Sequence, residues 1–256
     1  VYNDGALSNR NLISNGAMQV AQRGTSYSGS SFAGYFTVDR FRLDTNSSGT
    51  LTTSQDSDAP VGFGSSYKID CTVSDANPDY TSFYTKLEGQ DVQSIGKGTA
   101  DAKEVTVSFW VKTNLVGTYP LNLRDVDNNR WCYLSYEVDT AGTWEYKTVT
   151  FPADTTGSLD NDASNSLSLE WWFSAGASYT GTTPTSSWVT RDDNKRADLL
   201  TVNMGSSTSN YINITGVQLE VGDTATPFEH RSYGDELARC QRYFFMLASG
   251  DEQSMP

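Results

Sequence analysis

Apolar and polar residues alternate through most of this chain with a period of two, the spacing of half-buried strands. In EVTVSFWVK, Val105, Val107, Phe109 and Val111 face one way, while Thr106, Ser108, Trp110 and Lys112 face the other. LSLEWWF repeats the pattern, with Leu167, Leu169, Trp171 and Phe173 opposite Glu170 and Trp172. FTVDRFRLDT, YKIDCTV, FYTKLEGQDV, TYPLNLRDV, RWCYLSYEV, TWEYKTVTF, ADLLTVNM and YINITGVQLEV read as further strands. Asp127-Asn128-Asn129 forms a hairpin turn between two of them. NLISNGAMQVAQRG reads as an opening strand turned at Asn15-Gly16, with Met18 and Val20 continuing the alternation. Thr25 to Gly34 and Thr45 to Ser66 read as polar loops, as does the Ser-, Thr- and Gly-rich Ser174 to Arg191. Short strands at this regular spacing predict an all-β fold, a jelly-roll β-sandwich.

The period changes only near the end. In Ile212 to Arg242, Val217, Leu219 and Val221 form the core face of a closing strand, and Gly222-Asp223 turns the chain. Pro227 holds Thr226 extended. Ser232 and Asp235 then make a capping box, and Leu237, Cys240, Phe244 and Leu247 recur at helical spacing. A short helix or helical turn over 234–247 is expected, with Tyr243 to Leu247 also readable as the start of another strand. The organisation is an arm at 1–10, a sandwich at 11–231 and a helical segment with tail at 232–256.

Composition narrows the function. The formal charge of -13 opposes binding to nucleic acid phosphates. The longest apolar runs fall far short of the ~20 residues a membrane-spanning helix needs. Cys71, Cys132 and Cys240 are too far apart for a zinc motif and are expected as buried free thiols. With one histidine, His230, and no G-x-S-x-G elbow, a nucleophilic triad has no support. Glycoside hydrolysis needs two placed carboxylates. Glu88, Glu104, Glu137 and Glu170 lie in or beside strands, but nothing selects a pair, so no catalytic residue is assigned. Asp160-Asn161-Asp162 and Asp125 to Asn129 are acidic enough for calcium, yet turn chemistry explains both.

The aromatic residues off the core face are the main candidates for binding: Trp110, Trp172, Trp131, Tyr133 and Tyr84. An exposed ring stacks on sugar C–H groups while polar neighbours take hydroxyls. The same rings also serve to fill loops or subunit interfaces. Phe228, His230, Arg231, Tyr243 and Phe244, around the proline turn and the helix, are the candidate contacts to other subunits or partners.

NLISNGAMQVAQRGTS, YTSFYTKLEGQDVQ, GTADAKEVTVSFWVK, TWEYKTVTFPADTTG and above all ITGVQLEVGDTATPFEHRSYGDELARCQRY resemble the carbohydrate-binding-module-like domain of bacteriophage virion proteins, especially tail fibres of marine and cyanobacterial phages. The resemblance covers roughly Leu7 to Phe244. It implies a non-enzymatic virion protein, assembled in the host cytoplasm as a homotrimer. The protein would be a tail-fibre or receptor-binding component contacting host polysaccharide or lipopolysaccharide. Capsid or tail decoration and polysaccharide depolymerisation are the alternatives. The arm at 1–10 suits attachment to other tail or capsid proteins. NLISNG and YINITGVQLE are also similar to the first and last strands of jelly-roll carbohydrate-binding modules, many of which hold a structural calcium with an acidic pair in the last strand. Thr215-Gly216 stands at that position, leaving Asn11, Asn15 and Glu220 as oxygen donors. No cofactor and no metal ligand is assigned.

Overall fold

The structure is a computed structural model and describes residues 9–246. Eleven strands run β1 (Ser26–Gly34), β2 (Phe41–Asp56), β3 (Ser66–Val73), β4 (Tyr80–Glu88), β5 (Val105–Thr113), β6 (Gly117–Asp125), β7 (Arg130–Val138), β8 (Glu145–Phe151), β9 (Asn165–Ala175), β10 (Val189–Thr190) and β11 (Tyr211–Val221). One helix, α1 (Tyr233–Gln241), follows. The strands form one antiparallel ladder in the order β10-β7-β6-β9-β4-β2-β3-β11-β5-β8, with β1 on β2.

The ladder folds into two layers at β2. Phe41 to Asn46 pair with β4, and Thr50 to Asp56 pair with β3. Between these halves the Asp75 carboxylate accepts from Ser47 Oγ and Ser48 N, both at 2.8 Å, and fixes the bend. Side chains from the two layers then meet. Phe109 of β5 lies edge-on to Trp171 of β9, with centroids 5.6 Å apart, and Tyr67 of β3 lies 4.7 Å from Phe83 of β4. The alternating faces read from the sequence are therefore the core of a jelly-roll sandwich. Each large ring removed from water there contributes roughly 1.5–3 kcal/mol.

β11 shows why Gly216 is required. Ile212 and Ile214 are buried in the core before it, Val217 and Leu219 after it, so the inward parity switches. A bulge between Thr215 and Gln218 absorbs the extra residue, and Gly216 supplies the left-handed φ of 62°. A Cβ there would stand 2.7 Å from the Phe63 ring.

The opening strand is a correction. Residues 11–24 form no strand, because Asn15 (φ 61°) and Met18 (φ 57°) turn the chain. Asn15 stabilises the turn by donating to the Val20 and Asp39 carbonyls and accepting from Val20 N. The segment still docks on β11, through Leu12 N to Leu219 O and Val217 N to Gly16 O, both at 2.9 Å. Conversely, the Ser- and Gly-rich stretch expected as a loop is the edge strand β1, and β2 continues ten residues beyond Asn46 into the other expected loop. ADLLTVNM is irregular: it crosses the outside of one layer, pinned by Thr201 N to Thr118 O at 3.1 Å. The helix begins one residue earlier than expected and ends at Gln241, capped by Ser232, whose oxygen accepts from Asp235 N at 3.2 Å. Most of the expected arm, and the tail after Met246, lie outside the described residues. The three cysteines are free and buried, and burial pushes the Cys132 and Cys240 thiols to about 12.

Candidate functional site

Register places four of the five candidate aromatics on one surface. Tyr84 of β4 pairs with Glu170 of β9, Glu170 with Asn122 of β6, and Asn122 with Tyr133 of β7. Trp172 pairs with Ser82, and Trp131 pairs with Arg124. All point away from the core. Trp110 shares their parity but belongs to β5 in the other layer, where it is half-buried and its ring lies 5.3 Å from Tyr146. Strand parity sets the face of a sheet and leaves the choice of sheet open.

The rings are not an open platform. Trp172, Trp131 and Tyr133 are all buried, and Tyr84 is half-buried. The long segment after β9 covers them. Its β10 pairs with β7 beside Trp131. Tyr133 Oη donates to Asp192 O at 3.0 Å and accepts from Asp192 N at 2.9 Å. Burial pushes the Tyr133 hydroxyl to about 12, opposed by its bond to the Asp192 backbone. Asn122 Nδ2 donates to Arg196 O at 2.9 Å, and Ala197 N donates to Tyr179 O at the same distance.

This clamp delivers Arg196 onto the aromatic surface. Its guanidinium carbon lies 4.7 Å from the Trp172 ring centre, 4.8 Å from Trp131 and 5.4 Å from Tyr179. Its Nη2 donates to Glu170 Oε1 at 2.6 Å. Burial works against the Arg196 charge, and Glu170 and Asp193 outweigh it, holding the guanidinium above its ordinary range.

Between the clamp and the edge of the layer a cleft of about 200 Å³ remains. Tyr80, Tyr84, Tyr179 and Trp172 supply its aromatic walls, and Asp44, Arg124, Ser168, Glu170 and Arg196 its polar lining. Asp44 accepts from Tyr84 Oη at 2.9 Å and from Arg42 Nε at 2.7 Å. Burial first, then the Asp44 charge, raise the Tyr84 hydroxyl well above its ordinary range, so it stays a donor. Glu170 Oε2, Trp172 Nε1 and Arg196 Nε are buried polar atoms of this lining that make no hydrogen bond among the described residues. Desolvating such atoms without a partner is costly, and each is a position for a ligand's donor or acceptor. The cleft can thus take a flat, hydroxyl-bearing molecule between rings and charged hydrogen-bonding groups.

Period-two reading from Tyr84 reaches Tyr80, Ser82 and Lys86, and from Trp172 it reaches Glu170 and Ser168. Arg196 and Tyr179 lie in a segment without periodicity, so no sequence signal marked them.

The candidate partner contacts are engaged within the chain. Phe228 and His230 lie 5.0 and 5.1 Å from Phe63. Tyr243 covers the Arg40 guanidinium at 3.3 Å, and Phe244 covers that of Arg23 at 3.6 Å. Arg231 donates to the carbonyls of Ile13 and Asn11 and to the carboxylates of Glu229 and Glu236. Tyr243 keeps 37% of its surface exposed, and His230 is also exposed.

The oxygen donors considered for calcium are used elsewhere. Asn11 bridges Ile13 N, Leu219 N and Val217 O, and Glu220 accepts from Thr226 N, Thr226 Oγ1 and Gln218 Nε2. Asp125 is committed to Lys97 and Asn128, and Asp162 to Ser164. Among the described residues no cluster of three or more His, Cys, Asp or Glu side chains is placed to hold a metal ion, and no helix is long and apolar enough to cross a membrane.

No family model and no curated protein matches this chain. Among solved structures it is similar to the enzymatically active domain of tailspike protein 4 of bacteriophage CBA120, at 11% identity and a TM-score of 0.43, covering 83% of this chain and 21% of that one. The chain therefore spans about a fifth of the length of that tailspike domain. It is similar to the family 11 carbohydrate-binding module of a Clostridium thermocellum cellulosomal cellulase, at 10% identity and a TM-score of 0.39, covering 77% of this chain and 95% of the module. It is also similar to a family 61 module solved with β-1,4-galactotriose, at 12% identity and a TM-score of 0.40, covering 83% of this chain and 99% of the module.

Proposed function

We propose that this chain is a non-enzymatic bacteriophage virion component, of the tail-fibre or receptor-binding kind, that holds a host-surface glycan in the β4–β9–β6 cleft. One observation carries the glycan reading: Glu170 Oε2, Trp172 Nε1 and Arg196 Nε are buried, have no hydrogen-bond partner among the described residues, and are set among the rings of Tyr80, Tyr84 and Tyr179. Saccharides present hydroxyls that both donate and accept beside apolar C–H faces, and this lining answers both. The phage assignment rests on the sequence resemblance, carried most strongly by residues 214–243. The same resemblance supports a homotrimer, for which sedimentation should give three times 28.1 kDa; a monomer mass would remove it.

Asp44 and Glu170 are the two carboxylates of the cleft, and arginines hold both, through Arg42 and Arg196. A glycosidase needs one carboxyl that carries a proton to the leaving oxygen. We therefore expect incubation with host polysaccharide to release no new reducing ends.

Affinity for purified host lipopolysaccharide tests the site. Loss of a charged hydrogen-bonding group costs roughly 1.5–3 kcal/mol, about 10- to 100-fold in affinity. Glu170→Ala is expected to weaken binding in that range, and Tyr179→Ala, which removes one aromatic wall, to weaken it as well, both with the fold intact by circular dichroism. Trp110→Ala, on the opposite layer, should leave binding unchanged. The reverse pattern would move the site to the β5 surface.

A further inference from the structure

The charged groups on the outer face of β4–β9–β6 are unevenly partnered. Arg42 pairs with Asp44 at 2.7 Å and Arg196 with Glu170 at 2.6 Å. Lys86 and Arg124 have no carboxylate within ion-pair distance among the described residues. They stand in one row: Lys86 of β4 pairs with Ser168 of β9, and Ser168 pairs with Arg124 of β6. Two interstrand steps put their backbones roughly 10 Å apart with Ser168 between them. This row directly adjoins the one holding Tyr84, Glu170 and Asn122. Lys86 and Arg124 thus bring two cations without a carboxylate partner to this face, whereas Arg196 has both Glu170 and Asp193, on a chain whose net charge is -13.

We infer that the saccharide held by this cleft is acidic, its anionic group seated between Lys86 and Arg124 above Ser168. The inference rests on the glycan reading of the cleft. Both cations are half-buried, so an unpaired charge there is costly until an anion arrives. Burial first, then Arg42 and Arg124, pull the Lys86 ammonium below its ordinary range; burial, with Arg191 and Arg196, does the same to Arg124 against the pull of Glu170. An anion reverses this crowding and makes charge-assisted hydrogen bonds to both heads. Carboxylate, sulfate ester and phosphate ester groups share the required chemistry.

An array of saccharides printed as matched neutral, carboxylated, sulfated and phosphorylated forms tests it. Binding is expected on acidic members only, and the arms identify which anion is preferred. The Lys86→Gln/Arg124→Gln variant should lose at least about tenfold in affinity, and Lys86→Arg/Arg124→Lys should retain most of it. Raised salt should weaken the wild type more than the neutralised variant. Binding to neutral members that survives the double neutralisation but falls in Glu170→Ala would overturn the acidic-ligand inference and leave the glycan site standing. Binding to no member at all would count against both.

Discussion

Lys97→Met is expected to cost about 3–5 kcal/mol of stability, because it breaks a buried ionic cluster rather than a surface pair. Lys97 is 5% exposed, and Asp125 is fully buried. The ammonium donates to Asp125, to the Thr156 and Gly157 carbonyls at 2.8 and 3.0 Å, and lies 3.0 Å from Asp154. Arg130 holds Asp154 from the other side at 2.8 Å. The cluster ties the β6–β7 hairpin to the segment after β8. Methionine fills the volume but leaves Asp125 without its cation, and Asp154 with only one. A thermal melt should show a drop of roughly 10 °C; a loss under ~1 kcal/mol would mean that water reaches these carboxylates. Acid separates the two proteins further. Burial would raise the Asp154 carboxyl, but hydrogen bonds from Arg130 and Lys97 outweigh it and hold it below its ordinary range. Its contribution is therefore complete above the ordinary Asp range and is lost as pH falls through the depressed value. The gap between wild type and variant should narrow on that descent.

Arg231→Met is expected to have a comparable effect, about 3–5 kcal/mol, where α1 meets the turn at residues 11–15. The Arg231 side chain is 9% exposed and that of Glu236 is 7% exposed. Glu236 accepts from Arg231 Nη1 at 3.0 Å and also from Asn15 N, so one carboxylate of α1 holds the turn at Asn15. Glu229 accepts from Asn11 N at 3.0 Å in the same way. The conspicuous string after β11 is therefore a latch tying residues 229–236 to residues 11–15. Without the guanidinium, Glu236 is left buried without a cation and the Asn11 and Ile13 carbonyls lose a donor. Amide exchange should accelerate at Asn15 and along α1 more than in β5. Uniform acceleration would show that the latch is inseparable from the sandwich.

The sandwich core was legible because alternation survives in strands with one face on the core: Phe109, Trp171 and Leu219 all sit where parity puts them. Four parts were hidden. The residues from Asn11 to Val20 imitate alternation, but Asn15 satisfies a turn with its side chain, and such local bonds compete with a strand. β1 has almost no large apolar residues; it is held by backbone pairing at the edge and by Tyr27 stacked on Phe36 at 4.1 Å. For the site, parity placed Tyr84, Trp131, Tyr133 and Trp172 on one outer surface. It did not reveal their burial, because the cover through Arg196 carries no period. The partners of Phe228, Arg231, Tyr243 and Phe244 were hidden for a related reason: Phe63, Asn11, Arg40 and Arg23 are remote in sequence.

Indole N–H resonances give the most direct test of the β4–β9–β6 cleft as the glycan site. The chain has six tryptophans. Trp172 Nε1 lines the cleft without an acceptor, whereas Trp144 Nε1 already donates to Asp58 at 3.0 Å beside the surface that carries Trp110. Titration with host-surface oligosaccharide, followed by ¹H–¹⁵N correlation, should move the Trp172 indole resonance to saturation and leave those of Trp110 and Trp144 in place. Saturable movement of Trp110 and Trp144 with Trp172 unmoved would contradict the account.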